Sequence, residues 1–379
     1  MSNLKVVIAG GGVAGLETMF ALRDLAGDRV QVTLLAPEPE FVYRPMAVGE
    51  PFARPAARHY AITPMAREAG VELIREPLAS VDTGACIAYG GRGTAVAYDA
   101  LVVAIGARMH APFANATTIS DRTIDEQLHG VVQDIEGGYL RSIAFVAPHR
   151  MSWPLPLYEL ALMSAARADE MGVELRTTIV TPESAPLGVF GTEASDAVSA
   201  LLDEADIELI GSAYAQVPEP GVVTMHPFSR RLRADRVIAM PELFGPAIRG
   251  LPGGERGFLD VDVHGRVRGC PGVFAAGDAT DFPIKHGGVS SQMADTVAES
   301  IAALAGAPIV PQPFVPEIHG MLLTGGRPLY LTARIAGGRG FSSQVSERPM
   351  WTPAGKIAAR YLAPQLERAD ATATAGVTP

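Results

Sequence analysis

The sequence is most informative first in what it lacks. Among 379 residues there are two cysteines, Cys86 and Cys270, far apart in the chain and in no C-x-x-C pair. That excludes a disulfide framework and a cysteine-based zinc site. Positive charge is short: 31 Lys and Arg stand against 41 Asp and Glu, a net charge of −10, which argues against nucleic acid or an anionic membrane as the main partner. No apolar run approaches the ~18 residues of a spanning helix. No basic-then-apolar leader opens the chain, because Lys5 runs straight into an apolar segment. These absences lead to the expectation of a cytoplasmic protein with no transmembrane segment. His149, His226, His264 and His286 show no metal-ligand spacing, and no metal is expected.

What is present begins at the N-terminus. Lys5 to Ala9 is a short β-branched run of the kind a buried strand uses, and Gly10, Gly12 and Gly15 follow as G-x-G-x-x-G before a helical pattern. Each glycine has a physical task. Gly10 makes the tight turn, Gly12 lets the backbone approach a pyrophosphate, and Gly15 lets helix and strand pack closely. The helix, with Val13 and Ala14 in its first turn, aims free N–H groups and its positive dipole end at phosphates. Val30 to Leu35 supplies the next strand of a β-α-β unit. The acidic residue that often binds ribose at that strand's end is absent: Ala36 stands there, and Glu38 is the nearest carboxylate able to substitute, unless it is a solvated loop charge. Phe41 to Met46 reads as an irregular aromatic and proline loop, able to lie along a flat cofactor or simply to pack. Leu101 to Ala107 is another buried strand ending near Gly106.

A second β-α-β rhythm follows: Ile143 to Ala147, a helix over 154–171, and Val173 to Val180. Its first turn, Ala147-Pro148-His149-Arg150-Met151-Ser152-Trp153-Pro154, carries no glycine, two prolines and two bulky residues. A pyrophosphate has no usual approach there. Arg236 to Met240 then reads as a return to the first unit, followed by Gly272 to Asp278, a strand ending in Gly277-Asp278, and a helix opened by Gly287-Gly288. The fold class is α/β, with two Rossmann-like three-layer units and a small C-terminal region. The expected boundaries are 1–110 and 236–310 for the two parts of a discontinuous nucleotide-binding domain, 111–235 for a degenerate second unit, 311–365 for the C-terminal region and 366–379 for a disordered tail.

The order of these signals resembles the FAD-dependent pyridine nucleotide–disulfide oxidoreductases. Within them the chain is similar to the branch of sulfide:quinone oxidoreductases, flavocytochrome c sulfide dehydrogenase and type II NADH dehydrogenases. Phe41-Val42-Tyr43-Arg44-Pro45 and the run Phe274 to Gly288 carry the resemblance. It implies FAD as cofactor, held on its ADP side by Gly10, Gly12, Val13, Ala14, Gly15 and Glu38. Ala104 and Gly106 would pass near the dinucleotide, Gly277-Asp278 would meet the ribityl chain or pyrophosphate, and Arg44 and Pro45 would flank the isoalloxazine. Lys285 and the helix at Gly287-Gly288 would face the flavin edge that becomes negative on reduction, where a helix N-terminus contributes ~0.3–1 kcal/mol. His286 is the histidine expected to move protons near working pH.

The chain departs from that branch in one respect. Met151, Ser152 and Trp153 stand where the branch has a redox cysteine, and neither Cys86 nor Cys270 matches a redox position. Without a thiolate nucleophile the usual sulfide chemistry is not expected. Trp153 narrows the flavin face, stacks on a ligand, or is a core aromatic. The expected function is two-electron transfer from an unidentified donor through FAD to a small-molecule acceptor such as a quinone. The alternatives are an NAD(P)H-dependent flavin dehydrogenase with non-standard nicotinamide binding, and a flavin-bearing binding or regulatory protein without turnover. A weak peripheral membrane contact through Lys356 to Leu362, a segment expected to stop at Pro364, is a further expectation.

Overall fold

The computed structural model describes residues 3–54, 57–120, 123–336 and 339–375. Two five-stranded parallel sheets organise it. In the first, the strands run in the order Val273–Ala275, Ala100–Val103, Leu4–Ala9, Val30–Leu35, Glu72–Ile74, with Val7 in register with Leu101 and Thr33. In the second the order is Thr117–Thr118, Arg236–Ala239, Ser142–Val146, Arg176–Val180, Ile207–Ile210.

Both sheets are covered on both faces, which is why their strands read as continuous apolar runs rather than alternating ones. Val6 and Ile8 turn to a helical layer containing α1 (Val13–Leu25) and α6 (Gly287–Leu304), which pack on each other. Val7 and Ala9 turn to the opposite face, against an antiparallel meander of Leu78–Asp82, Ile87–Gly90 and Ala95–Ala97. The second sheet repeats this design. Ile143 and Phe145 face the helices α3 (Ile124–Glu136), α4 (Leu155–Glu170) and α5 (Thr192–Glu204), while Ala144 and Val146 face a meander of Tyr214–Glu219, Val222–His226 and Arg230–Arg233. The units are joined by an antiparallel pair, Arg108–His110 with Glu242–Phe244. A helix α2 (Ile62–Glu68) precedes the edge strand of the first sheet, and an antiparallel sheet of Glu317–Leu322, Leu329–Ala336 and Arg339–Ser346 follows α6.

Three sequence expectations change. Arg236–Ala239, which the boundary at 236 gives to the first unit, pairs with Ser142–Val146 and so completes the second sheet; the chain returns to the first sheet only at Val273. Phe41–Tyr43 is not an irregular loop: Glu40–Tyr43 pairs antiparallel with Arg58–Ala61, and only Arg44–Phe52, with Pro45 at its start, departs into 3₁₀ turns. The described part of the expected disordered tail is helical, because Leu362–Ala375 forms α7. Pro364 does not end the preceding segment but sits in the first turn of that helix, where a missing N–H costs nothing. Leu362 and Leu366, one helical turn apart, are buried against the core, and Arg58 and the Tyr60 hydroxyl both reach Asp370. Residues 376–379 lie outside the described residues.

Candidate cofactor cleft and redox cavity

The first sheet delivers its carboxyl ends to one crevice. Ala104 N–H donates to Ala9, Gly10 N–H to Leu35 and Ala276 N–H to Val103, so the three turns that follow the strands are laced together. Gly10 has a φ of +116°, and a Cβ there would lie 2.2 Å from the Ala104 carbonyl oxygen. A Cβ on Gly15 would lie 1.9 Å from the Gly10 carbonyl oxygen. Gly12 differs: nothing lies within 4 Å of its Cβ position, which opens onto the crevice. Gly10 and Gly15 are thus held to glycine by the backbone that a Cβ would meet, while Gly12 faces open space.

The crevice is a cleft of about 510 Å³, within the ~300–1,000 Å³ usual for cofactor sites. Gly10, Gly12, Val13, Ala14, Glu38, Arg44, Pro45, Ala104, Gly106, Gly277, Asp278 and Gly287 all line it. Gly15 and Gly288 do not; they act behind the wall, Gly15 by admitting the strand and Gly288 by lying under the His286 ring, 3.0 Å from its Cβ position. Two helix N-termini, those of α1 and α6, meet here, and neither is capped by a side chain. Unpaired first-turn amides and two aligned dipoles suit an anionic group. The donor set and the open Gly12 position therefore fit the pyrophosphate of FAD.

A second cavity, of about 250 Å³, adjoins the first. The two share Arg44, Pro45, Met109, Leu243, Asp278 and Gly287. Its lining is mostly apolar, from Val48, Ile119, Ile124, Leu155, Met151, Met240 and Met321, and includes no cysteine. Cys86 and Cys270 instead pack with Tyr98 on the far face of the first sheet, where burial raises the Cys270 thiol above its ordinary value.

Lys285 and His286 line this second cavity, not the cofactor cleft. The Lys285 ammonium donates to the Thr280 carbonyl at 2.5 Å and stands 4.2 Å over the Phe258 ring. Burial lowers its pKa to about 8, against the opposing pull of Asp278 and Asp281. His286 was expected to move protons near working pH, and its surroundings disfavour the charged ring. Its imidazole is buried between Trp153, at 4.4 Å between ring centres, and the Lys356 segment. Burial first, then His319 and Lys356, push its pKa down to about 3, so the ring is neutral at working pH. Trp153 also packs on Phe190 at 5.6 Å, so it is both a core aromatic and a wall of the cavity. The Ser152 carbonyl accepts from the Lys285 amide at 3.3 Å and ties the second unit's first turn to the flavin-side segment.

Sequence reasoning missed the cavity's most polar feature. Glu159, in the middle of α4, is fully buried; one oxygen accepts from Lys356 Nζ at 2.5 Å and from the Leu323 amide at 2.9 Å. Its other oxygen is buried with no partner among the described residues. Burial, stronger than the attraction of Lys356, raises its pKa. The signal was a single charge inside the apolar run Leu155-Pro156-Leu157-Tyr158-Glu159-Leu160-Ala161-Leu162. In the segment expected to touch membrane, Lys356, Ile357, Ala359 and Leu362 are buried and Arg360 is exposed. Among the described residues no helix is long and apolar enough to cross a membrane, and no His, Cys, Asp and Glu cluster could hold a metal.

In the second unit, Glu183 stands three residues past the strand Arg176–Val180, as Glu38 stands three past Val30–Leu35. Glu38 lines the cofactor cleft. Glu183 is turned inward, accepts from the Tyr158 hydroxyl at 2.7 Å, and has its pKa raised by burial to about 7. The place of a ribose-binding carboxylate in this unit is thus filled by the protein itself.

Comparison with known proteins fits this geometry. Residues 4–136 match the family described as pyridine nucleotide-disulphide oxidoreductase. The sulfide-quinone reductase of Aquifex aeolicus (strain VF5) is 26% identical over 263 residues, 64% of this chain. The match spans 59% of that protein's length, less than two thirds. The crystal structure of the sulfide:quinone oxidoreductase from Aquifex aeolicus superposes with a TM-score of 0.78 at 22% identity, covering 91% of this chain and 87% of that one. A ferredoxin reductase of the CYP199A2 system from Rhodopseudomonas palustris gives 0.64 at 20% identity, over 88% of this chain and 83% of that one.

Proposed function

We propose that this chain, which is similar to the pyridine nucleotide–disulphide oxidoreductases and takes FAD as cofactor, passes two electrons from an unidentified donor to a quinone-type acceptor. In this reading the glycine-lined cleft holds the FAD and the adjoining cavity receives the redox partner. The observation that carries it is the shared wall: six residues line both spaces, so a molecule in the second cavity lies against whatever fills that end of the first. An apolar, thiol-free cavity ending on a buried Glu–Lys pair suits a small ring bearing oxygen, not a sulfide ion awaiting a thiolate.

When bound, FAD supplies reversible two-electron transfer. The chain's own residues do the rest. Gly10, Gly12 and the uncapped start of α1 bind and orient the pyrophosphate. The α6 N-terminus and the Lys285 ammonium, cationic below about pH 8, favour negative charge at the inner end of the cleft. The neutral His286 ring, held by Trp153, keeps water from that wall. Lys356 and Glu159 are placed to hydrogen-bond a carbonyl or hydroxyl oxygen and to exchange a proton with it. Against nicotinamide as donor stand the glycine-free turn at Met151 to Trp153 and the inward Glu183.

The test is anaerobic. Purified protein carrying its flavin is mixed in turn with NADH, NADPH, sulfide and a reduced quinol. Slow or no bleaching by all four is expected, and flavin photoreduced instead is expected to be reoxidised on addition of a soluble quinone. Fast bleaching by NADH or by sulfide would overturn the exclusion of that donor.

A further inference from the structure

The carboxylate nearest the end of Val30–Leu35 stands on an unusual loop. The chain leaves that strand as Ala36-Pro37-Glu38-Pro39, so Glu38 is flanked by two prolines, three residues past the strand. Neither proline has an N–H to donate, and each restricts the residue before it to extended backbone. Such a loop is fastened from outside, through its carbonyl oxygens. Pro37 and Glu38 line the cofactor cleft together with Pro77 and Leu78, and none of the four lines the second cavity.

One side chain supplies that fastening. Arg75, half-buried, directly follows Glu72–Ile74, the parallel neighbour of Val30–Leu35. Its Nη1 donates to the Glu38 carbonyl, while its Nη2 donates to the Thr63 hydroxyl at 2.7 Å and reaches the Pro39 carbonyl at 3.5 Å. The Ile62 amide donates to the same Pro39 carbonyl at 3.0 Å. Ile62 in turn packs on the glycine turn, its Cδ1 lying 2.7 Å from where a Cβ on Gly11 would stand. The guanidinium thus joins the Glu38 loop to the first turn of α2, and through it to the phosphate cradle. Glu76, the next residue, is anchored the other way: its carboxylate accepts from the Thr94 hydroxyl at 2.5 Å and the Arg92 amide at 2.8 Å. The segment that carries Arg75 is therefore itself held in place.

We propose that Arg75 is a positioning residue for the cofactor: by holding the Pro37–Pro39 loop, it sets the Glu38 carboxylate to accept from the adenosine ribose hydroxyls of FAD. Arginine suits the task, because a planar guanidinium presents several donors at fixed angles and keeps its charge at every working pH. This role rests on the cleft being the FAD site and is independent of the electron donor and acceptor. Arg75 acts on the cofactor only through Glu38. Its loss is therefore felt by a ligand that bears ribose hydroxyls and not by one that lacks them.

The test is cofactor exchange on the full, FAD-loaded chain. The protein is equilibrated with mixtures of FAD and the FAD analogue whose adenosine ribose is dideoxy, lacking both hydroxyls. Free flavin is removed and the bound ratio is read by chromatography. Hydroxyls donating to a carboxylate are expected to give the wild type a preference for FAD of about tenfold or more. Glu38→Ala is expected to bind the two equally. Arg75→Met is expected to cut the preference at least about threefold, and to leave the ratio unchanged in the Glu38→Ala background. Arg75→Lys keeps the charge without the fork, and its preference is expected to fall as well, by less. Only flavin-bearing molecules enter the ratio, so a general loss of stability does not move it. Should Arg75→Met retain no flavin, the ratio in Arg75→Lys decides. A wild type without preference, Arg75 variants that keep the wild-type preference, or an effect of Arg75→Met in the Glu38→Ala background would overturn the proposal. A purified chain that carries no FAD would instead fail the reading of the cleft, and the proposal with it.

Discussion

Replacing Lys356 by methionine removes the counter-charge of a carboxylate that has no water to turn to. Glu159 is 0% exposed, and among the described residues one of its oxygens is already unpartnered and Lys356 is its one charged hydrogen-bond partner. Breaking a buried pair from one side costs roughly 3–5 kcal/mol, because the abandoned charge stays desolvated. The protein limits that cost by keeping Glu159 protonated, which makes the loss depend on pH. Burial already holds this carboxyl above its ordinary range in the wild type, and the loss of Lys356 raises it further. A carboxyl raised in the fold loses stability as pH climbs, at about 1.4 kcal/mol per unit. The extra penalty of Lys356→Met is therefore small where the wild-type Glu159 is already protonated and grows as pH rises above that range, until the variant's carboxyl also ionises. Urea denaturation followed by circular dichroism across that range measures it. Adding Glu159→Gln, whose carbonyl still accepts from Leu323, is expected to recover most of the loss. A pH-independent penalty, or additive single and double variants, would refute the reasoning.

The glycines separate folding from binding. Gly10→Ala collides with the Ala104 carbonyl and is expected to lose both stability and flavin, whereas Gly12→Ala meets no protein atom and is expected to lose FAD while keeping the melting temperature of the flavin-free wild type; differential scanning fluorimetry with flavin absorbance distinguishes them. Lys285→Met is expected to leave stability at neutral pH unchanged or higher, because a lysine lowered to about 8 is destabilising below that value. It should also make the flavin harder to reduce by ~20–45 mV, the equivalent of ~1–2 kcal/mol for two electrons, in a potentiometric titration. His286→Ala is expected to leave the pH profile of flavin reduction between about pH 5 and 8 without a lost inflection, since its ring does not titrate there.

What could be read from the sequence was local. The run Gly10 to Gly15 specifies a turn, a backbone approach and a helix start within six residues, and the structure builds each from the same atoms. Gly277-Asp278 and Gly287-Gly288 are likewise short-range statements about strand end and helix start. What could not be read depended on distance. Arg236–Ala239 looks like any buried strand, and only its pairing with Ser142–Val146, across 90-odd residues, decides its sheet. The Ala- and Thr-rich C-terminus has little apolar pattern of its own; Glu17, Arg58 and Tyr60 make it a helix by tertiary contact. Lys356 and Glu159 are 197 positions apart and meet only in the fold. His286 has an unremarkable neighbourhood in the sequence, and the burial and the His319 and Lys356 charges that push its pKa down come from the fold.

In the proposed function, electrons leave the flavin at the thiol-free cavity beside the cofactor cleft. The most direct measurement is anaerobic: the flavin is photoreduced, a soluble quinone is added, and reoxidation is followed by stopped-flow absorbance. The comparison variant is Met151→Trp, which fills the second cavity without touching the cofactor cleft. Rapid reoxidation of the wild type, slowed at least about tenfold in the variant, a barrier change of roughly 1.4 kcal/mol or more, is the predicted result. A wild type that the quinone does not reoxidise, or a variant that reoxidises equally fast, would contradict it.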